Sequence, residues 1–263
     1  MKKFMILSIV LSLLFCFNLL AQNLLQQADS LYEQRGDVFD TTTLIADSTN
    51  INQAIELYKK FIETASGAEK EQATWKLMRS YYFKGKYTTN DSELKKKIYD
   101  QGKELGQVGL DEFSESVGIN LFSAIVWGVW GEEYGIIKAA KQGVAGKIKK
   151  HCEKVIELDP NFDEAGGYRV LGRVYFKAPK IPLILGWPSK KKAVGILEKS
   201  YEIAPHNLNT RQFLAEALYS QKQKERAIQL MKEILAEENI REGIAEDAVI
   251  KHEVKTTLAE WEK

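Results

Sequence analysis

The sequence predicts an all-α fold in which antiparallel helix pairs stack into a superhelix. One observation is a recurring face of apolar and small residues at the spacing of an α-helix. A second is a fixed period, because Ala193 and Ala227 lie 34 positions apart in matching surroundings. A third is that Pro160 and Pro205 each follow a helical stretch, where a proline stops a helix from continuing. Together these features indicate repeated helix pairs.

Six positions carry the repeat. Small and apolar residues of the stretch that follows Pro160 recur in the stretch that follows Pro205. This pattern is typical of the tetratricopeptide repeat (TPR), an antiparallel helix pair of about 34 residues. The alternative is an ordinary amphipathic bundle without repeats. The matched pairs are Leu171 and Leu214, Gly172 and Ala215, Tyr175 and Leu218, Ala193 and Ala227, Leu197 and Met231, and Ser200 and Ile234.

Two of these six positions hold a small residue in both repeats. Gly172, Ala193, Ala215 and Ala227 stand where we expect the backbones of paired helices to approach closely. Larger side chains there would hold the helices apart. We therefore assign these four residues a structural role in the repeat.

The repeat register divides the chain into five helix pairs and a C-terminal capping helix. We expect a polar connection over residues 38–50, a turn at Gly85-Lys86-Tyr87, and a helix capped by Asp91 or Ser92. Residues 128–146 carry five glycines and predict a loose segment. The predicted units are residues 22–66, 68–110, 114–160, 163–205 and 207–239, with the cap at 242–262.

Residues 1–21 have the pattern of a secretory signal peptide. Lys2 and Lys3 precede an apolar run from Phe4 to Phe17, and the chain becomes polar after Ala21. The alternative is an uncleaved membrane anchor, for which the run is short. Lipid attachment at Cys16 is disfavoured by the bulky Phe15 before it. The sequence therefore predicts an exported protein, periplasmic or associated with the envelope and not anchored in the membrane.

Composition argues against several function classes. The chain has 37 basic and 36 acidic residues, so no clustered excess of positive charge predicts nucleic-acid binding. The three histidines are far apart, and no HExxH, phosphate-binding loop or G-x-S-x-G motif occurs. After the leader only Cys152 remains, on the apolar face of its helix, where we expect it in the core. We predict no enzyme activity, no cofactor and no metal site.

Two regions are candidates for binding. The first is the insert 177–189, in which Ile184 and Trp187 belong to an unusually apolar loop. It either forms a hydrophobic lip for a ligand or partner or covers a helix end. The second is the apolar stretch with Asn120, Trp127 and Trp130. A buried Asn needs a hydrogen-bond partner, and Arg169 is one candidate. The open alternatives are an interhelical hydrogen bond in the core and a polar group that lines a pocket.

Three stretches resemble one known family. They are AIVWGVW over residues 124–130, ELDPNFDEAGGYRVLG over residues 157–172, and the proline-rich insert before Ala193. The chain resembles the TPR T-component of tripartite ATP-independent periplasmic (TRAP) transporters over residues 120–235. The resemblance implies a non-enzymatic, extracytoplasmic helical protein that associates with a solute-binding protein and handles an apolar or organic-acid ligand. Members of that family are commonly lipoproteins, and this sequence departs from them at Phe15.

The leading hypothesis is an exported TPR scaffold whose concave surface binds a protein partner. The alternatives are an extracytoplasmic carrier of a small apolar or organic-acid ligand and a scaffold for envelope assembly.

Overall fold

The computed structural model describes residues 22–180, 186–261 and 263. The predicted leader with Cys16, and Ile184 of the insert, lie outside these residues. Twelve helices occur in the described part, and the all-α prediction is confirmed. They are α1 (22–33), α2 (Thr49–Thr64), α3 (Gly67–Tyr87), α4 (Ser92–Glu112), α5 (Val117–Tyr134), α6 (Ile136–Lys141), α7 (Val144–Leu158), α8 (Phe162–Lys177), α9 (Lys190–Ile203), α10 (Leu208–Ser220), α11 (Lys224–Ala236) and α12 (Ile244–Trp261).

The helices stack in chain order. Each packs against the next, from α2 with α3 through α11 with α12, and α5 pairs with α7 because the short α6 lies between them. Two large apolar clusters fill the interior of the described residues, one mainly from α1 to α8 and one from α9 to α12, and a small third cluster holds Met78, Ile119 and Phe122. Tyr175 on α8 packs against both large clusters and so joins them.

Small residues occupy the closest helix contacts. A Cβ placed on Gly172 of α8 would overlap Cγ of Leu197 on α9, so no larger residue fits there without a shift of the helices. Ala193, Ala215 and Ala227 are fully buried. The small side chains therefore let paired helices approach until a leucine of one helix rests on the backbone of the other.

Helix α5 lies in the middle of the stack and carries a buried polar residue. Asn120 is 3 % exposed, and its Nδ2 donates to the carbonyl oxygens of Ser114 at 3.0 Å and Ser116 at 2.9 Å. Its Oδ1 lies 2.9 Å from Nδ1 of His151 on α7. Burial, with Lys150 and Lys147 nearby, lowers the pKa of His151 to about 4, so the ring is neutral near pH 7. Because Oδ1 can only accept, the ring proton lies on Nδ1.

This arrangement settles one open alternative. Asn120 forms an interhelical hydrogen bond in the core, from α5 to α7. The suggestion of Arg169 as its partner is wrong, because Arg169 is bound to Asp163 within its own helix.

The connection between α1 and α2 is more ordered than the sequence suggests. Phe39–Asp40 and Ile45–Ala46 form a two-stranded antiparallel hairpin, with Phe39 opposite Ala46. The carboxylate of Asp40 accepts from the backbone N–H of Thr42 and the hydroxyl of Thr43, both at 2.8 Å. The threonines, which in the sequence suggest a polar linker, therefore stabilise a hairpin turn through their hydrogen bonds to Asp40.

The turn predicted at Gly85-Lys86-Tyr87 is wrong, because α3 continues to Tyr87. A Cβ on Gly85 would overlap the ring of Tyr99 on α4. The glycine therefore serves helix packing instead of ending the helix. Tyr87 is 2 % exposed and extends the buried face by a further turn.

The loose segment predicted for residues 128–146 is largely helical. Gly128 and Gly131 lie inside α5, and Gly146 lies inside α7. Only Gly135 (φ 81°) and Gly143 (φ 64°) adopt the left-handed backbone that favours glycine. These two residues separate α6 from its neighbours, and the other glycines do not interrupt a helix.

Candidate functional site

A groove of about 1000 Å³ runs along the inner face of the stack, and we call it the central groove. Its lining comes mainly from the first helix of each pair, with α6 and α7 on one side. No described residue of α2, α4, α9 or α11 lines it. The apolar part of the lining includes Tyr32, Tyr82, Phe122, Val129, Trp187 and Phe213. The alternation of inner and outer helices therefore gives the groove one continuous wall.

The segment after the first described helix meets the last helix at this groove. Nη2 of Arg35, just after α1, lies 2.6 Å from Oε1 of Glu246 on α12, and it also donates to the carbonyl oxygen of Glu242 at 3.0 Å. Both side chains of the pair are about 10 % exposed. Gly36 lies against Ala245, since a Cβ on Gly36 would be 3.2 Å from that of Ala245. The first repeat and the last helix therefore close the stack.

A left-handed stretch of backbone begins α8 at one end of the groove. Asp163, Glu164 and Ala165 have φ angles of 51°, 54° and 61°, which are costly for residues other than glycine. The guanidinium of the buried Arg169 donates to the carbonyl oxygens of Asp163 and Glu164 at 3.1 and 3.0 Å, and to the Asp163 carboxylate at 2.7 Å. Arg169 therefore stabilises this turn and lines the groove with the rest of its side chain.

Two cations on α3 face the groove without a carboxylate partner. Within the described residues, neither Arg79 nor Lys86 has a carboxylate oxygen within 4.0 Å. The Arg79 guanidinium lies 3.8 Å from the ring centroid of Tyr32, and its buried Nε has no hydrogen-bond partner among those residues. Seven residues along a helix correspond to about 10 Å. Both residues line the groove, so it offers two positive charges that start about 10 Å apart along the axis of α3.

The opposite wall is acidic. Glu242, Glu246 and Glu253 line the groove near the closure. Burial raises the pKa of Glu242 to about 7, Arg169 opposes that shift, and Glu164 adds to it. The carboxylate of Glu242 accepts from the backbone N–H of Leu208 at 3.1 Å. The groove therefore presents positive charge from α3 and, on the α12 side, negative charge mainly from Glu253, because Glu246 pairs with Arg35 and the pKa of Glu242 is about 7.

The structure brings only some of the sequence-predicted residues into the groove. Arg169 and Trp187 line it, and Trp187 packs edge-on against Tyr175 with ring centroids 4.6 Å apart. Asn120, Trp127 and Trp130 are not part of the lining. Nε1 of Trp130 donates instead to Asp100 on α4 at 2.8 Å, and Lys147 on α7 lies 3.9 Å from the ring of Trp127. The two tryptophans belong to the contact of α5 with α4 and α7.

Apart from Arg169, the sequence analysis missed the polar residues of the groove. Arg79, Tyr82 and Lys86 share one face of α3 at helical spacing, and this pattern could have identified them. Arg35 and Glu246 are 211 positions apart, and no local pattern links residues at that distance.

Two further properties concern the described residues alone. No group of three or more His, Cys, Asp or Glu side chains among residues 22–180, 186–261 and 263 is placed to hold a metal ion. Within the same ranges, every helix is too short or too polar to cross a bilayer.

The fold has a counterpart among solved structures. The crystal structure of TTC0263, a thermophilic TPR protein from Thermus thermophilus, superposes with a TM-score of 0.60 at 15 % identity. The match covers 91 % of this chain and 99 % of that one. At this identity the likeness shows the fold alone, and it confirms the prediction of a TPR-type superhelix.

Two curated proteins are similar in sequence. Regulator of microtubule dynamics protein 3 of Rattus norvegicus is 28 % identical over 177 residues, which are 67 % of this chain and 33 % of the relative. The protein of the same name from Mus musculus is 32 % identical over 124 residues, which are 47 % of this chain and 24 % of the relative. The chain thus matches a third or less of the length of each. Neither match supports the resemblance to TRAP T-components specifically.

The match to a protein family covers nearly the whole chain. The profile of the family described as regulator of microtubule dynamics protein 1-3 matches residues 24–262. That range contains all the residues that line the groove and both residues of the pair Arg35 and Glu246. The chain therefore belongs to the regulator of microtubule dynamics protein 1-3 family.

Proposed function

We propose that this chain is a non-catalytic scaffold that binds a segment of a protein partner in the central groove. The observation that carries the proposal is the pair of groove-facing cations without carboxylate partners, Arg79 and Lys86, beside an aromatic wall. Charged groups that stay unpaired next to apolar surface suit a partner that supplies the opposite charge. The TPR-type superhelix, which exposes one long concave face, supports the same interpretation.

The groove defines the chemistry of the partner segment. Two acidic side chains about 10 Å apart would match Arg79 and Lys86. Aromatic or aliphatic side chains between them would pack on Tyr82 and Phe213. Basic side chains of the partner would face Glu253 on the opposite wall. A segment of mixed charge with an acidic edge therefore fits best.

The test is capture of partners by charge-reversed variants. Tagged wild-type chain and the double variant Arg79→Glu, Lys86→Glu would be recovered from cells and the bound proteins quantified. The matched control is Lys60→Glu with Lys232→Glu, two exposed lysines on the outer helices α2 and α11. We expect the groove variant to lose the partner and the control to keep it. Equal recovery by all three chains would contradict the proposal.

Export is a second part of the proposal, supported by the sequence pattern of residues 1–21. An exported chain would meet extracytoplasmic partners, such as the solute-binding protein of an uptake system that the TRAP resemblance implies, or envelope-assembly factors. Cell fractionation tests this, and we expect the chain outside the cytoplasm. Recovery from the cytoplasm would overturn export. It would direct the partner search to microtubules, which the names of the relatives indicate.

A small-molecule carrier is the second candidate function. It is favoured by Trp187, which lines the groove and packs on Tyr175, and by the basic Arg173 and Lys177 in the same lining, both of which pair with Glu216. An apolar or organic-acid ligand would cover Trp187 and place its acid near these cations. Tryptophan fluorescence during titration with fatty acids and organic acids should then change in the wild type and not in Trp187→Phe. A flat response in both chains would exclude this candidate.

A further inference from the structure

Helix α6 and the residues that follow it form an exposed surface with two properties that rarely coincide. Ile136 and Ile137 are 60 % and 71 % exposed, although isoleucine is usually buried. Residues 134–150 contain five lysines and no acidic residue. We call residues 134–150 the α6 surface.

The isoleucines and lysines share the exposed side of α6. At 100° per residue, Ile136, Ile137, Ala140 and Lys141 fall on one side of the helix, and all four are exposed. Ala139 faces inward and packs against the core. The amphipathic pattern of α6 is therefore inverted, since apolar side chains point to solvent and cationic side chains surround them.

Most of the lysines on this surface have no carboxylate partner within the described residues. Among the ion pairs of the described residues, Lys149 pairs with Glu153 at 2.5 Å, and Lys138, Lys141, Lys147 and Lys150 have no carboxylate within 4.0 Å. Lys138 and Lys147 instead lie over aromatic rings, at 3.6 Å from Tyr134 and 3.9 Å from Trp127. The α6 surface thus carries a local excess of positive charge on a chain whose formal net charge is only +1.

We propose that the α6 surface docks onto an anionic lipid surface, with Ile136 and Ile137 entering the headgroup region and the lysines facing the acidic headgroups. Lysine and aliphatic residues together favour this occupant over a protein, because protein interfaces are enriched in Arg, Tyr and Trp and depleted in Lys. Long lysine side chains reach the headgroups while their stems cover apolar surface. Each lysine near such a surface adds electrostatic attraction to the acidic headgroups.

Docking through this surface would also orient the central groove. Ile136, Ala139 and Ala140 line the groove on the side of α6. A chain held at α6 would therefore present that side of its groove at the lipid surface. This inference does not depend on whether the groove binds a protein segment or a small molecule.

The experiment places an environment-sensitive fluorophore on α6 of the full chain. In a Cys16→Ser background, Ala140→Cys supplies the labelling site, and Ala259→Cys on α12 is the matched control at another exposed helical alanine. Cys152 is fully buried and burial raises the pKa of its thiol, so it is not labelled in the folded chain. Each labelled chain is mixed with vesicles of phosphatidylcholine alone or of phosphatidylcholine with phosphatidylserine.

We expect a blue shift at position 140 with the phosphatidylserine vesicles only, and none at position 259. The double variants Ile136→Ser, Ile137→Ser and Lys138→Gln, Lys141→Gln should each weaken vesicle binding at position 140 several-fold, as should added salt. Equal shifts at both positions would mean that another part of the chain docks, and would overturn the proposal. It would also be overturned if neither position shifts, or if polyglutamate shifts position 140 while vesicles do not, since the surface would then bind acidic protein.

Discussion

Single small residues determine how closely the helix pairs pack. Gly172 of α8 touches Leu197 of α9 so closely that even a methyl group has no room, since its Cβ would overlap Cγ of Leu197. Gly195 on the same α9 has no atom within 4 Å of a Cβ placed there. The two glycines therefore differ in packing, although both are helical.

Substitution of these two glycines by alanine should have opposite effects. Gly172→Ala should lower the free energy of unfolding by about 1–3 kcal/mol because the helices are forced apart. Gly195→Ala should raise it by up to about 1 kcal/mol, because alanine favours the helix more than glycine does. Urea denaturation of both variants measures the difference. Similar changes of the same sign would contradict the close contact of α8 with α9.

The carboxyl group of Glu242 should make stability depend on pH. Its pKa is raised by burial to about 7 in the folded chain, against about 4.3 in an unfolded one. Between these two values the unfolded chain loses the proton and the folded chain keeps it, so stability falls as pH rises from about 4.3 to 7. At about 1.4 kcal/mol for each unit of pKa difference, the total change should be at most on the order of 4 kcal/mol.

Comparison with Glu242→Gln isolates this contribution. His151, whose pKa is lowered to about 4, changes stability with the opposite sign over an overlapping range, so the wild-type curve alone shows the sum. The difference in stability between wild type and Glu242→Gln should depend on pH only between the unfolded and folded pKa values of Glu242. A difference that is constant with pH would show that Glu242 titrates normally.

Helix ends show how an element depends on one side chain. Asp91 is the N-cap of α4, and its carboxylate accepts from the backbone N–H groups of Glu93 and Leu94 at 2.8 and 3.1 Å. Ser66 occupies the N-cap position of α3, and its side chain makes no capping hydrogen bond. The two positions therefore provide a capped and an uncapped helix start in one protein.

Asp91→Ala should lower the free energy of unfolding by about 1 kcal/mol, because two backbone donors lose their acceptor. Ser66→Ala should change it by much less. Thermal unfolding monitored by circular dichroism compares the two variants. A larger loss from Ser66→Ala would mean that the cap assigned to α4 is incorrect.

The elements differ in how well their sequence predicts them. Helices α8 to α11 follow from local patterns, because apolar spacing, proline stops and the 34-residue interval agree there. The end of α3 does not follow from its local sequence. Gly85 suggests a turn there, but it is a glycine because the ring of Tyr99 packs directly against it. Helix α6 is hard to predict because several glycines surround it, and of these only Gly135 and Gly143 have a positive φ and interrupt the helix. Contacts between helices determine the structure in these cases, and a local sequence pattern carries no information about such contacts.

The sequence predicts that the fold has a groove, but it identifies few of the residues that line it. A concave face follows from the repeat, and the sequence points to Arg169 and Trp187. Trp127 and Trp130 look equally suitable, but the rotation of α5 in the stack turns them toward α4 and α7. That rotation is set by packing on three sides of α5, which the sequence does not reveal.

At the scale of the whole molecule, the pair of Arg35 and Glu246 holds the first repeat against the last helix. Arg35→Met should lower stability by about 3–5 kcal/mol, since it leaves a buried carboxylate without its partner. The double variant Arg35→Met, Glu246→Leu should lose less than the sum of the single variants. The control is the exposed pair of Arg226 and Glu198, where Arg226→Met should cost at most about 1 kcal/mol.

Chemical denaturation of these variants tests the closure. Small-angle scattering should also show a larger radius of gyration for Arg35→Met and an unchanged one for Arg226→Met. Equal losses of stability at the buried and exposed pairs would show that this contact does not hold the first repeat against the last helix.

The central claim is that the inner helices form the partner-binding surface. Photo-crosslinking residues placed singly at Tyr82, Val129 and Phe213 in the groove, and at Lys60, Glu104 and Lys232 on the outer helices, test it most directly. We predict that the groove positions all cross-link the same protein and that the outer positions do not. Cross-links to that protein from the outer positions, with none from the groove, would contradict the account.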